Sequence, residues 1–217
     1  MTAAIDSDEM RTVPALPKVL ICMPTPGVVK TRTVNSLAGL VAFTLEKGVA
    51  TLGFYFDEKC SVIAGARNRM AEYGKSKGFD FVCFIDSDMQ FPKDTLARLV
   101  AHNRDVCGVM YNKRTLQLDP VGQVEDFGCG GLVEATSLGC GLLLIRTSVF
   151  DRIRAPWFYF ERDTPGGEDF NFIRDCKEVG IAAWADLDLS FEVAHVGEFA
   201  IGWKRNAAGS DPVIDVR

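Results

Sequence analysis

Apolar residues along this chain fall into two kinds of run that take turns. Val19 to Met23, Thr51 to Phe56, Phe81 to Ile85 and Val106 to Tyr111 are short, almost unbroken apolar stretches, the pattern of strands buried on both faces. Between them apolar residues recur at helical spacing. Val34, Leu37, Leu40, Val41 and Leu45 lead to Gly48, which suits a C′ cap. Ala66, Met70 and Tyr73 share one face of a second helix, and Leu96, Leu99 and Val100 form a stripe after Pro92, a residue that can open a helix. The first half therefore reads βαβαβαβ, which predicts a mostly parallel sheet with right-handed crossovers.

The second half changes character. Leu116 to Gly130 is loop-like, Gly139 to Ile145 is glycine-led and apolar, and Val149 to Ile153 reads as a short helix. Gly166 and Gly167 then precede a helix with Phe172, Ile173, Cys176 and Val179 inward and Gly180 as terminator, and a last strand region spans Ala182 to Val196. No internal repeat is visible. The expected organisation is one domain over residues 17–203 between a mobile N-terminal tail, 1–16, and a C-terminal tail, 204–217.

Composition narrows the class. At 217 residues, 47% hydrophobic and 24% charged, the chain fits one ordinary globular domain. A formal net charge of −5 argues against nucleic-acid binding through a broad basic surface, so an anionic substrate needs a local device such as a metal ion or a few placed Arg and Lys. The seven cysteines are odd in number, several lie in apolar strand-like runs, and none shows paired C-x-x-C spacing; this points away from a zinc site and toward a reducing cytoplasm. No apolar run reaches the roughly 18–20 residues of a membrane span and no secretion signal opens the chain, so neither a membrane span nor an anchoring signal is expected.

The chemistry-bearing residues cluster at element ends. Asp86 and Asp88 follow the buried run from Phe81, with Ser87 between them, at the edge where open α/β sheets place their ligands. Hard carboxylate oxygens there suit Mg²⁺ or Mn²⁺ bridging to substrate phosphates, and strand pleat alone sends both side chains to one side; a solvated polar strand end is the plainer alternative. Glu168 and Asp169 open a helix, where carboxylates cap and also complement the dipole, and either can act as a general base. His195, one of two histidines, sits among apolar neighbours as structural histidines do, and His102 ends an amphipathic helix. Arg67 and Asn68 lie off the Ala66/Met70 face, free to reach a phosphate or base. Trp157 to Phe160 offers either a stacking surface or core. The glycines around Cys129 and Cys140 do not follow the first strand of a βαβ unit, which excludes a dinucleotide fingerprint.

Taken in order, Met23 to Gly27, Ala66-Arg67-Asn68, Phe84 to Asp88, Gly139 to Arg146, Gly167-Glu168-Asp169 and Val193 to Gly197 resemble a GT-A fold glycosyltransferase, nearest the family 2 type, over roughly residues 18–197. The resemblance implies a Rossmann-like, mostly parallel central sheet flanked by helices with a small antiparallel acceptor-side region. It implies a UDP- or GDP-linked sugar donor near Pro24, Thr25, Gly27, Arg67, Asn68, Asp86 and Ser87, with Gly139 and Gly141 allowing close approach of the sugars. It places Mn²⁺ or Mg²⁺ on Asp86, Asp88 and His195, Asp169 as base toward a hydroxyl acceptor, and Glu168 beside the sugars. The chain lacks the Gln-x-x-Arg-Trp motif of processive synthases, so transfer of a single sugar is expected. Inversion follows from the base, although the Gly-Gly-Glu-Asp stretch is also similar to retaining enzymes.

Two other readings compete. A sugar-phosphate nucleotidyltransferase shares the sheet but needs a basic Gly-rich loop after the first strand, which Pro24 to Lys30 fits poorly. A non-catalytic carbohydrate- or protein-binding module needs no metal site and base together.

Overall fold

The structure, a computed structural model, describes residues 15–58, 62–128, 130–162, 166–198, 200–206 and 212–216. Most of the expected N-terminal tail, together with Cys60 and Cys129, lies outside the described residues. In chain order the elements are β1 (Lys18–Pro24), α1 (Thr31–Lys47), β2 (Thr51–Asp57), α2 (Ile63–Ser76), β3 (Phe81–Ile85), β4 (Met89–Gln90), α3 (Thr95–Ala101), β5 (Val106–Gly108), β6 (Tyr111–Asn112) and β7 (Pro120–Val124). There follow β8 (Leu132–Leu138), β9 (Leu142–Arg146), α4 (Val149–Arg152), α5 (Glu168–Glu178), β10 (Ala183–Asp186), α6 (Leu187–Ser190), β11 (Ala194–Val196), β12 (Ala200–Arg205) and β13 (Pro212–Val216).

The fold is α/β. A nine-stranded sheet in the order β2-β1-β3-β9-β5-β10-β8-β7-β6 forms its centre, and a four-stranded sheet β13-β12-β11-β4 lies beside it. β1 pairs parallel with β2 and β3, and β5 with β10. β9 runs antiparallel to both β3 and β5, so β2, β1, β3, β5 and β10 share one direction around a single reversed strand. The βαβ pattern of the first half led to the parallel strands; β9, arriving from the second half, separates β3 from β5.

Burial follows strand alternation. Leu20, Cys22, Val82 and Phe84 face one core with α2, α4 and α5 residues such as Met70, Phe150 and Phe172. Val19, Ile21, Met23, Phe81, Cys83 and Ile85 face the other, with Leu40, Leu96 and Leu99 from α1 and α3. Both faces of the central strands are therefore covered, which is why these segments are apolar throughout. Gly48 closes α1 in the left-handed region, φ 60°, as its position predicts.

α3 buries Leu96 and Leu99 and α5 buries Phe172, Ile173 and Cys176 as expected, but parts of the predicted faces of α1 and α2 differ. In α1 the buried residues are Thr33, Leu40 and Thr44, while Val34 and Leu45 are 49% and 62% exposed, because the contact stripe runs through 33, 40 and 44. In α2 Arg67 lies on the buried face with Ala64, Met70, Ala71 and Gly74, although its charge points to the surface by composition alone. Val179 falls beyond the end of α5 and is exposed. Of the stretch set apart as a C-terminal tail, Lys204 and Arg205 extend β12, and Pro212–Val216 pairs with it as β13. Among the described residues no helix is long and apolar enough to cross a membrane, and Cys22, Cys83, Cys107, Cys140 and Cys176 are buried free thiols.

Candidate functional site

β1, β2 and β3 end together, at Pro24, Asp57 and Ile85, on one edge of the sheet. The chain turns directly after β3: Asp86 donates its amide to Gly141 O (3.0 Å), and Met89 N–H returns to Asp86 O (3.3 Å) before β4 begins. This turn overrides the pleat expected to keep Asp86 and Asp88 equivalent. Both line a cleft of about 270 Å³ with Pro24, Thr25, Ser87, Arg114 and His195, yet their partners lie on different elements.

Asp86, 22% exposed at the cleft, belongs to a cluster closed around a buried arginine. Arg67, 2% exposed, extends from α2 and donates Nη2 to Asp86 Oδ1 (3.0 Å) and Nη1 to Glu168 Oε1, tying the end of β3 to the start of α5. Its Nε has no partner among the described residues. Burial works against the guanidinium charge, but the surrounding negative groups, Asp86, Glu168 and Asp169 among them, more than offset it and raise the pKa further. Burial likewise pushes the Glu168 and Asp169 carboxyls above the usual carboxylate range; Arg67 opposes the shift in both. Asp169 also accepts the Phe170 N–H (2.9 Å).

Asp88 belongs to an open cluster. β11 pairs antiparallel with β4, with His195 opposite Met89, and Val196 N–H donates to Asp88 O. His195 Nε2 thereby comes 3.3 Å from Asp88 Oδ1, while Arg114 Nη1 lies 3.0 Å from Oδ2. Burial alone raises the Asp88 carboxyl, but the hydrogen bond and charge of His195 and the charge of Arg114 prevail and hold it below its ordinary value. His195 Nδ1 lies 3.2 Å from Asn112 O. A carbonyl only accepts, so Nδ1 carries the hydrogen and Nε2 presents either a proton or a lone pair to Asp88. A backbone carbonyl orienting one imidazole nitrogen is also the usual outer support of a metal-bound histidine.

Several sequence expectations change here. Among the described residues no three His, Cys, Asp or Glu side chains form a metal-binding group. Asp88 and His195 meet; Asp86, expected with them, is held by Arg67. Arg67, expected at the nucleotide, is a buried bridge. Asn68 has no capacity left for a nucleotide: its Nδ2 donates to Ala64 O (2.8 Å) and Phe158 O (2.6 Å), and its Oδ1 accepts from Trp157 N (2.9 Å) and Phe158 N (3.2 Å). The space left by Gly139 and Gly141 is filled by Tyr111 rather than open to sugars, since a Cβ would sit 2.5 Å from its hydroxyl at Gly139 and 2.6 Å from its ring at Gly141. Gly27 belongs to the turn after β1, where Thr25 Oγ1 accepts its N–H (3.2 Å), without lining the cleft. Trp157 and Phe158 are core, and only Phe160 of that run is largely exposed.

The sequence reading missed four residues. Asp57, buried at the end of β2, holds Arg69 through Nε (2.9 Å) and Nη2 (2.5 Å). An acid closing an apolar run is the signal that singled out Asp86, and it applies equally to Asp57. Tyr111 stands edge-on to His195, with ring centres 5.5 Å apart, and accepts the Gly141 N–H (3.0 Å). Asn112 and Arg114 carry no local signal, since their links to the site run to His195, 83 residues on, and to Asp88, 26 residues back. A second cleft of about 740 Å³ runs along α2 between Tyr55, Tyr73 and Trp157; it is larger but lacks these carboxylates.

No family model and no curated protein matches the chain. Solved structures do. A197 from STIV matches at TM-score 0.58 and 18% identity over 86% of this chain and 90% of A197, which shows a shared fold. GalNAc-T7 crystallised with UDP, GalNAc and Mn²⁺ matches at TM-score 0.49 and 12% identity over 85% of this chain and 44% of its own length. A glycosyltransferase involved in glycosylation of the major capsid of PBCV-1 matches at TM-score 0.40 and 11% identity, over 78% of this chain and 92% of that one.

Proposed function

We propose that the chain is a metal-dependent glycosyltransferase that moves one sugar from a UDP- or GDP-linked donor to a hydroxyl acceptor with inversion. One observation carries this: the turn after β3 feeds both a metal-competent pair, Asp88 with His195, and, through Asp86 and Arg67, a carboxylate pair at the start of α5 in which Glu168 is buried and Asp169 partly so. A cleft of about 270 Å³ is slightly below the usual range of roughly 300–1,000 Å³ for a whole small-molecule ligand, so it suits the diphosphate end of the donor.

Asp88 and His195 would supply two ligands to a divalent cation, the remaining ones falling to donor phosphate oxygens and water. Asp88 supplies hard oxygen, His195 supplies Nε2 if its proton is absent, and the Asn112 carbonyl holds the ring. Mn²⁺ or Mg²⁺ held there would supply positive charge against the oxygens of the departing nucleoside diphosphate. The chain's own residues do the rest. Pro24, Thr25 and Ser87 form the floor against which the donor is oriented. Asp169, made more basic by burial, accepts the proton of the acceptor hydroxyl as its oxygen attacks the anomeric carbon. Arg67 keeps Asp86 and Glu168 fixed beside it.

The test is a panel of UDP- and GDP-sugars assayed for release of free nucleoside diphosphate, with and without Mn²⁺. Metal-stimulated release with at least one donor, abolished in Asp88→Ala, is expected. Full, metal-stimulated turnover in Asp88→Ala sinks the assignment, and metal-independent donor binding without turnover favours a binding module.

A further inference from the structure

The contact that the proposed chemistry leaves unexplained is Arg114. Its guanidinium occupies Asp88 Oδ2 at 3.0 Å, while Oδ1 faces His195 at 3.3 Å, so both carboxylate oxygens are engaged from two sides of one cleft. The placement of Arg114 is built, although its side chain is 55% exposed. Asn112, fully buried, gathers the turn that carries it: its Nδ2, with two hydrogens, lies within hydrogen-bond distance of Lys113 O (2.8 Å), Gln117 O (3.0 Å) and Thr115 O (3.2 Å), and Oδ1 accepts Asp119 N–H (2.7 Å). Lys113 N–H closes the same turn onto Asp119 O (2.9 Å). The carbonyl of this one residue also orients His195. Asn112 thus delivers two groups to Asp88 at once, one of them a cation on a flexible, half-exposed stem. The stem rests on Gly197, where an added Cβ would meet Arg114 Cδ at 3.5 Å.

A guanidinium and a divalent ion cannot both neutralise the same carboxylate oxygen without crowding two positive charges together. We propose that Arg114 is a tethered cation that occupies Asp88 until a metal ion displaces it, and that the freed guanidinium then binds an anionic oxygen of the donor's diphosphate. The proposal rests on the donor reading above for its second half only; the first concerns Asp88 and the metal alone. An arginine fork is suited to either partner, carboxylate or phosphate, through the same donors. The arrangement makes metal and donor binding mutually reinforcing, because each removes a competitor of the other: metal takes Asp88 from Arg114, and diphosphate takes Arg114 from Asp88.

The test is calorimetric titration of Mn²⁺ into the wild-type protein, Arg114→Ala and Asp88→Asn without nucleotide, followed by UDP and GDP titrations at saturating Mn²⁺. Removing a partly exposed competing ion pair is expected to tighten Mn²⁺ binding in Arg114→Ala by up to about fivefold. Asp88→Asn is expected to weaken it, and Arg114→Ala to weaken nucleotide binding under saturating metal. Equal or weaker Mn²⁺ binding in Arg114→Ala overturns the competition while leaving the donor reading standing. Tighter Mn²⁺ binding with nucleotide affinity unchanged overturns the transfer to diphosphate. Mn²⁺ binding undiminished in Asp88→Asn overturns the inference together with the metal assignment.

Discussion

Two charge clusters, joined through the turn from Asp86 to Asp88, use the same chemistry in opposite surroundings. Around Arg67 a nearly sealed guanidinium bridges Asp86 and Glu168, with Asp169 adjoining. Around Asp88 a half-exposed guanidinium and an imidazole share one carboxylate at the mouth of a cleft. A buried ion pair is exacting: its members lost their water on folding, and removing one leaves the others uncompensated. A pair whose cation is largely exposed is weaker and more exchangeable, because water and salt reach the guanidinium although Asp88 itself is only 17% exposed. The first arrangement fixes α5 to β3. The second leaves Asp88 open to a competitor.

The largest effect is expected at Asp169. Asp169→Asn should lower turnover by about 10²–10⁴-fold, the usual contribution of a positioned base. In the wild type the rising limb of kcat/KM against pH should sit above the ordinary carboxylate range, since burial raises this group, and the variant should lose that limb. Stability should move the other way. A carboxyl whose folded pKa is raised stabilises the fold fully below its unfolded pKa, and the contribution disappears as pH rises through the folded value. Asp169→Asn should therefore melt at least as high as the wild type at pH 7.5, with the difference shrinking toward pH 4. A marked loss of stability at pH 7.5 would mean that the closed cluster does not carry surplus negative charge.

Arg67→Met removes the bridging cation while keeping an unbranched stem. It should cost about 3–5 kcal/mol in urea denaturation, because Asp86 and Glu168 lose their compensation. The double variant Arg67→Met/Glu168→Gln should recover part of that loss. Failure to recover any would show that Arg67 acts through packing rather than charge.

The difference between the clusters also marks what the sequence made legible. Strands β1 and β3 announced themselves because burial on both faces leaves unbroken apolar runs, whereas β2, expected to be buried likewise, is the edge strand and leaves Phe54 and Phe56 48% and 45% exposed; Asp86, Asp88, Glu168 and Asp169 stood out as acids at the ends of such runs or helices. The pairing of β9 between β3 and β5 did not, since strand order depends on contacts far apart in the chain. Arg67 and Asn68 were visible as candidates but not their duties. An arginine is usually read as a surface group, and only the juxtaposition with Glu168, 101 residues later, converts it to a buried bridge. Asn68 is consumed by the backbone of residues 157–158, about 90 positions away. Asn112 and Arg114 had nothing in their neighbourhood to single them out.

The smallest effect is the one that tests the open cluster most directly. Arg114→Ala should cost less than about 1 kcal/mol in the same urea experiment, as expected for a pair whose cation is 55% exposed. The cost should shrink further at high salt, since the Debye length falls to about 3 Å at 1 M and water already reaches the guanidinium. A loss comparable with that of Arg67→Met, unaffected by salt, would erase the distinction between the clusters: Arg114 would then be a structural clamp on Asp88, too firmly held to be exchanged for a metal ion. A small, salt-sensitive loss leaves Asp88 poised, since what holds its oxygen Oδ2 is then weak enough for a divalent ion to replace.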